Sequence, residues 1–373
     1  MINPMISEGL KEMGTKSALG EVAQKTPLES LSTLNESIDK FAPKTWLEDN
    51  KFSHDLNIAD GAATEVPYGQ KSIDKFDSYK EAVASLRVRM EEMGISGVKE
   101  QDQALQETCS KEIVGEFRKE VSDEKLEQLN HLENATPLSL EELKEKCPEL
   151  YNQIEKMNKR LGNDCEDGIM NTLRYAELEN GDIVAYSTNE TYSNSKMVYS
   201  DGVVYAKSGG AKGSDNLNEF INTPELMPET TYCVDGRSMY ETDNQGRVEK
   251  VTTVVTNDYE EKLDRGRNQQ DMIRTGKEAL NNDESCHFVP HCLGGPNEAI
   301  NQAPMLREIN RGEGSEWRTR ENDLKKATDE GSTSWIEQHF SYEGVSKRPS
   351  TIEYGGEIDG EKQETLTFNN KVS

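Results

Sequence analysis

The sequence is poor in residue types that would have pointed to particular protein classes. Its 373 residues include six cysteines and five histidines, and only 33% of the chain is hydrophobic. Cysteines scattered along so long a chain do not form a disulfide framework, which favours a reducing compartment without excluding export. No run of about 18 apolar residues occurs, so we expect no transmembrane helix and no membrane insertion. The opening residues, MINPMISEGLKEMG, also lack the features of a standard signal peptide.

Positive charge is scarce as well. Lys and Arg number 43 against 70 Asp and Glu, which gives a formal net charge of −27. Sequence-independent binding of nucleic acid depends on neutralising phosphates, so this balance argues against such binding by the chain as a whole. Net charge does not describe a single cleft, however, and a small positive or metal-bearing site remains compatible with it.

Composition and periodicity divide the chain into four parts. We expect a polar, partly disordered region at 1–77 and a helical docking or delivery region at 78–165. A small β segment followed by a linker is expected at 166–215, and a last domain at 223–373. The predicted fold class is α+β, because helical patterns precede a strand-rich remainder.

Local signals in the middle of the chain predict helices first and hairpins afterwards. Ser139 and Glu142 have the spacing of a capping box at a helix N-terminus, and Pro148 predicts a break in the helical pattern. Asn-Gly at 180–181 and Asp-Gly at 201–202 stand between alternating runs and predict the turns of two hairpins.

Chemically distinctive residues concentrate in one stretch, DESCHFVPHCLGGPNEAINQAPMLREINRG, at 283–312. It holds four residues of the types that bind zinc, which are Cys286, His287, His291 and Cys292. Neighbours on an extended strand point to opposite faces, so both members of each adjacent pair can hardly reach one ion. A zinc-stapled module is therefore one interpretation, and its spacing is poor.

The same stretch also predicts a hairpin followed by a helix. A strand at 283–290 would carry His287 near its end, and a Gly-Gly-Pro loop would follow at 291–298. A short returning strand at 299–304 would lead into a helix that reaches Asn310. This order places a histidine and an asparagine on facing elements, with a gap for a hydrated ion and a phosphate.

These residues resemble the DNA/RNA non-specific endonucleases of the His-Me finger (ββα-metal) superfamily, in the form found as C-terminal toxin domains of bacterial polymorphic toxins. The family pattern has an aspartate before a Gly-His pair, an Asn-containing strand near a proline, then Asn-Arg-Gly, an aromatic residue and a glutamate. The matching residues here are Asp283, His287, Asn301, Pro304, Asn310, Arg311, Gly312, Trp317 and Glu321, with Tyr240–Asp243, Gly246, Arg247, Arg267, Asn268 and Gly276 upstream.

The resemblance implies a C-terminal ββα-metal nuclease domain with an antiparallel sheet, behind a helical N-terminal region and a small antiparallel β segment. It implies that His287 takes the proton from an attacking water, a role that suits a neutral imidazole. It also implies that Asn310 binds a divalent ion, Mg²⁺ or another such as Mn²⁺. Because Mg²⁺ keeps most of its waters, one protein oxygen can suffice.

The remaining site residues follow from the same resemblance. Asn301 would orient the waters of the ion or the histidine ring, and Glu321 would hold a metal-bound water. Either Arg267 or Arg311 would clamp the phosphate, and the sequence does not decide between them.

The predicted function is cleavage of DNA, RNA or both with little sequence preference, by a bacterial toxin effector. It would be exported without a standard signal peptide, act in the cytoplasm of a target cell, and be covered by a cognate immunity protein. This chain has Cys286 where the family usually has glycine. That departure and the acidity keep a second class open, a degenerate nuclease fold that only binds a protein partner. The zinc-stapled module is the third.

Overall fold

The computed structural model describes residues 122–161, 168–210, 216–259 and 267–371. The region predicted at 1–77, most of the helical region at 78–165 and the centre of the predicted linker lie outside these described residues.

Seven short helices occur in the described ranges. They are α1 Glu124–Glu127, α2 Leu140–Lys146, α3 Pro148–Leu161, α4 Ile169–Thr172, α5 Arg267–Gly276, α6 Arg307–Arg311 and α7 Glu316–Asp329. Single 3-10 turns add Gln128–Asn130, Leu132–Asn134, Glu190–Tyr192, His291–Leu293 and Ala299–Asn301. None of the helices in these ranges is long and apolar enough to span a bilayer.

Strands dominate the rest of the described chain. The first half holds β1 Thr136–Leu138, β2 Leu173–Glu177, β3 Ile183–Ser187, β4 Lys196–Ser200 and β5 Val203–Ala206. Further along lie β6 Thr231–Val234, β7 Ser238–Thr242, β8 Val248–Val255, β9 Asp283–His287, β10 Gln302–Leu306, β11 Ser334–Tyr342, β12 Pro349–Ile358, β13 Glu361–Lys362 and β14 Leu366–Asn369.

One sheet of twelve strands joins the two halves. Its order is β1-β2-β3-β4-β5-β6-β7-β8-β11-β12-β13, with β14 also paired to β12. Every pairing in it is antiparallel except that of β5 with β6, which is parallel. Strands β9 and β10 form a separate antiparallel ribbon. The predicted α+β class, with a mostly antiparallel C-terminal sheet, is confirmed.

The helix cap, the helix break and the two hairpin turns predicted from local sequence signals are present in the structure. The Ser139 side chain caps α2 in a complete capping box with Glu142, and α3 begins at Pro148, where a missing N–H costs nothing. The turns of the two hairpins have positive φ, 86° at Gly181 and 85° at Gly202. Such values fit Asn-Gly and Asp-Gly turns between twisted strands.

The returning strand and the final helix of the 283–312 stretch differ from the prediction. The residues at 299–301 form a 3-10 turn, the strand occupies Gln302–Leu306, and the helix begins only at Arg307. The strand starts late because the Asn301 side chain is turned into the preceding loop, where it bonds to main-chain groups.

Two apolar clusters cover the two faces of the sheet. Successive strand residues alternate between them, as Ile183 and Ala185 belong to the larger cluster and Val184 to the smaller. The larger cluster also takes in α2, α3, α7 and the β9–β10 ribbon. The ribbon is therefore held against one face of the sheet by core packing.

The predicted linker at 208–216 is packed at its described ends. Gly209 and Gly210 are buried, and the Gly209 N–H donates to the Glu298 carboxylate at 2.6 Å. A domain boundary at this position stays a prediction, since the sheet continues from β5 to β6 across it.

Candidate active site

The β9–β10 ribbon carries the histidine predicted to be catalytic. His287 is the last residue of β9, faces Gln302 on β10 and is 8% exposed. Just beyond it, the Phe288 N–H donates to the Asn301 carbonyl at 2.8 Å. The ribbon thus fixes the main chain on both sides of the imidazole.

The loop after β9 supplies the neighbours of the His287 ring. Its Nε2 lies 3.3 Å from Asn297 Oδ1, and the His291 ring is tilted by 50° with its centroid 5.6 Å away. A neutral imidazole that donates from Nε2 to this amide oxygen has its basic nitrogen at Nδ1. Asn297 was not among the residues predicted from the sequence, where its only signal is an asparagine following Gly-Gly-Pro.

Asn301 holds this loop in shape. Its Oδ1 accepts from the Tyr240 hydroxyl at 3.0 Å and the Val289 N–H at 2.8 Å. Its Nδ2 donates to the carbonyls of Val289 at 3.0 Å and Pro296 at 2.9 Å. A primary amide has two donors and two acceptor positions, and all are used here. No hydrogen-bonding capacity is left for the waters of an ion or for the histidine ring, the two contacts predicted for this residue.

Asn310 and Arg311 lie on α6 and share one partner on the ribbon. The half-buried Asn310 donates from Nδ2 to Glu284 Oε2 at 3.1 Å, and Arg311 approaches Glu284 Oε1 at 2.5 Å. The Asn310 Oδ1 accepts no hydrogen bond from any residue in the described ranges. The predicted metal ligand therefore has an unpartnered oxygen, whereas the predicted phosphate clamp is engaged in an ion pair.

Glu321 lies on α7 beside the same loop. Its Oε1 accepts from the buried Trp317 Nε1 at 3.0 Å. Burial and the Glu321 carboxylate together raise the pKa of the Cys292 thiol, which places this carboxylate near the loop that follows β9. Of the other predicted residues, Arg267 begins α5, and its side chain lies outside the described part of the chain.

Asp283, which matched the family's aspartate, serves the architecture. It is buried at the start of β9 and forms a two-pronged ion pair with Arg348 at 2.6 and 2.7 Å. Arg348 precedes β12, so this pair fastens the ribbon to the large sheet. Two parallel bonds between a guanidinium and a carboxylate are the strong form of such a pair.

The four zinc-type residues do not assemble into a metal centre. No group of three or more His, Cys, Asp or Glu in the described ranges could hold an ion. Cys286 is 2% exposed and belongs to the apolar core, and the strand alternation turns His287 to the other side. The oxygen of Asn310 is instead a hard donor of the kind that Mg²⁺ prefers.

Two buried ionisable residues beside the ribbon were missed by the sequence analysis. Lys277 Nζ donates to two main-chain carbonyls within 299–302 at 2.7 and 2.6 Å, and burial lowers its pKa to about 7. Glu298 accepts from the main-chain N–H groups of Gly209 and Asn218 at 2.6 and 3.1 Å, and burial raises its pKa to about 7. Nothing in the sequence marks either residue as buried.

Comparison with known families identifies this part of the chain. Residues 228–360 match the family described as DNA/RNA non-specific endonuclease. The resemblance inferred from the 283–312 stretch is therefore confirmed for the C-terminal part, and with it the enzyme class, a nuclease.

Individual known proteins resemble the chain only weakly. No curated protein matches the chain. One solved structure, described as Sda1 nuclease with bound zinc ion, is 16% identical with a TM-score of 0.28, over 36% of this chain and 76% of that one. Another, an extracellular endonuclease, has the same identity and TM-score over 37% of this chain and 79% of that one. Likeness at this level says nothing about substrate or ion.

Proposed function

We propose that the C-terminal part of the chain hydrolyses phosphodiester bonds of DNA, RNA or both, with little sequence preference and with a divalent ion. One observation carries the proposal. Within the segment that matches the endonuclease family, His287 ends β9, and Asn310, on the helix after the ribbon, offers an amide oxygen to which no residue in the described ranges donates.

His287 would accept the proton of the attacking water. Asn297 lies 3.3 Å from Nε2 of its ring, and a bond from Nε2 to the Asn297 oxygen would make Nδ1 the basic nitrogen. Mg²⁺ or Mn²⁺ held by Asn310 Oδ1 would stabilise the charge that develops on the phosphate. Asn301 would act through the loop it shapes, as a positioning residue.

Glu321 and the arginines complete the proposed site. Glu321, fixed by Trp317, would accept a hydrogen bond from a metal-bound water. Arg267 or Arg311 would contact the phosphate, and Arg311 would have to leave Glu284 to do so.

The proposed biological role is that of an exported bacterial toxin effector acting in a target-cell cytoplasm. Its support is the toxin-type pattern of residues from Tyr240 to Glu321. A cognate immunity protein would cover the His287 cleft. Co-purification with the product of a neighbouring gene tests this role, and failure of every neighbouring product to bind would remove it.

Cleavage of plasmid DNA and of RNA by the purified full chain, with Mg²⁺ and with EDTA, tests the proposed activity. We expect cutting with Mg²⁺, none with EDTA, and none by Asn310→Ala, which also controls for contaminating nuclease. If the parent chain cuts neither substrate, the proposal fails, and the binding-only interpretation of a degenerate nuclease fold takes its place.

A further inference from the structure

Glu284 is the shared partner of three side chains on α6 and was not singled out by the sequence. It lies on β9, three residues before His287, and its side chain is 21% exposed. One oxygen accepts from Asn310 Nδ2 at 3.1 Å. The other approaches Arg311 at 2.5 Å and Arg307 Nε at 3.7 Å.

The chemistry of a carboxylate fixes the orientation of the Asn310 amide. An ionised carboxylate only accepts hydrogen bonds, so the amide must turn its NH₂ group towards Glu284. Its oxygen then faces away from Glu284, and no described residue donates to it. A partner that could both donate and accept would allow the amide to flip, because its two ends are nearly the same size.

We propose that Glu284 is a positioning residue for the divalent ion, since it holds the amide of Asn310 with its oxygen presented as a ligand. This inference rests on the proposed function only in that Asn310 is the ligand. Partners of metal ligands typically govern metal affinity because they fix ligand orientation. The exposed Arg311 and Arg307 side chains balance the charge of the carboxylate.

Binding of Mn²⁺ to the full chain, without nucleic acid, tests this role directly. Electron paramagnetic resonance of free Mn²⁺ gives the dissociation constant for the parent, Glu284→Gln, Asn310→Ala and Arg311→Gln. Glutamine is isosteric but can turn either its oxygen or its NH₂ to Asn310, so the amide would adopt both orientations. We expect Glu284→Gln to weaken Mn²⁺ binding on the order of 10-fold.

Arg311→Gln is the matched control. It removes an exposed ion pair on the same carboxylate but leaves the bond to Asn310, so Mn²⁺ affinity should stay within about twofold of the parent.

In cleavage assays, Glu284→Gln should need more metal ion and approach the parent kcat at saturation. Thermal melting shows whether Glu284→Gln folds. Glu284→Asp, which withdraws the carboxylate by one methylene, is the second variant, with the same expected loss of affinity.

Unchanged Mn²⁺ affinity in both Glu284 variants would overturn the proposal. So would an equal loss in Arg311→Gln, because a variant that keeps the bond between Glu284 and Asn310 would then bind Mn²⁺ as poorly as the variant that disturbs it. A parent that binds Mn²⁺ more tightly than Glu284→Gln but cuts no nucleic acid would contradict the proposed function alone. A parent that cuts nucleic acid and binds Mn²⁺ better than Asn310→Ala, but no better than the two Glu284 variants, would contradict the role of Glu284 alone.

Discussion

Strands β1–β5 and strands β6–β8, β11 and β12 share one sheet, but only the second group lies within the segment that matches the endonuclease family. The first group lies outside the segment that matches the endonuclease family and contains none of the predicted site residues. Yet the chain leading out of it contacts the loop that follows β9 and holds one of the predicted site residues. The Ile300 N–H donates to the Ile221 carbonyl at 3.0 Å, and Gly209 and Asn218 donate to Glu298.

The predicted site residues and the main-chain groups that hold the loop after β9 therefore lie in different parts of the chain. The predicted site residues lie within 228–360, but main-chain groups that hold the loop after β9 lie at 209–222. The two main-chain donors to the buried Glu298 carboxyl group offset part of the cost of its burial, although burial still raises its pKa to about 7. The family segment alone would lack those donors, so we expect the preceding half to be needed for a working site.

Removing the first half should have the largest effect. A fragment of residues 223–373 would expose β6 as an unpaired edge and leave Glu298 without its two donors. We expect it to aggregate or to lack a cooperative transition, because these losses compare with a domain's entire stability, about 5–15 kcal/mol. Circular dichroism melting beside the full chain is the measurement. A fragment that melts cooperatively and cuts like the full chain would show that the two halves are independent.

Two buried asparagines, one in each half of the chain, allow the roles of the two halves to be compared. Asn301→Ala removes four hydrogen bonds in the half that holds the predicted site residues, and it should cost about 3–5 kcal/mol of stability and most of the activity. Asn218→Ala removes bonds to the carbonyls of Lys196 and Lys207 in the other half. It should cost similar stability but less of the kcat measured well below its melting temperature. Urea unfolding and kcat separate the two, and equal losses of kcat would contradict the division.

The Glu298 carboxylate predicts a pH dependence of the contact between the halves. Its pKa is about 7 in the folded protein against 4.5 for the free group. Folding therefore takes up a proton between these values, and stability present at low pH is lost as the pH rises through 7. The loss is on the order of 3 kcal/mol. Urea unfolding at several pH values should show this slope, and Glu298→Gln should flatten it; an unchanged slope in the variant would refute the assignment.

Restoring the family glycine should have the smallest effect. Cys286 packs in the apolar core of the ribbon, so Cys286→Gly should lower stability by about 1–2 kcal/mol through lost packing and added chain freedom. The kcat should not change, because the thiol contacts the His287 carbonyl oxygen at 3.3 Å, whereas the His287 ring lies on the opposite side of the strand. A large gain in kcat would mean that the cysteine impairs the site.

Local sequence patterns correctly predicted a helix start and two hairpin turns, but they could not predict tertiary contacts. The capping box at Ser139 and the turns at 180–181 and 201–202 depend on neighbouring residues and are confirmed. The parallel pairing of β5 with β6 joins segments separated by a long connection, and no local pattern encodes it. Asn297 and Glu284 escaped notice for the same reason, since each gains its partner only when the ribbon folds.

Cleavage by His287→Ala tests the central claim most directly. The matched control is His339→Ala, because His339 lies exposed on β11 beside Glu337 and outside the site. Loss of a positioned general base should lower kcat by about 10²–10⁴-fold in His287→Ala, while His339→Ala should cut like the parent. If His287→Ala retained the parent kcat while melting normally, His287 would not be the base and the proposed mechanism would be wrong.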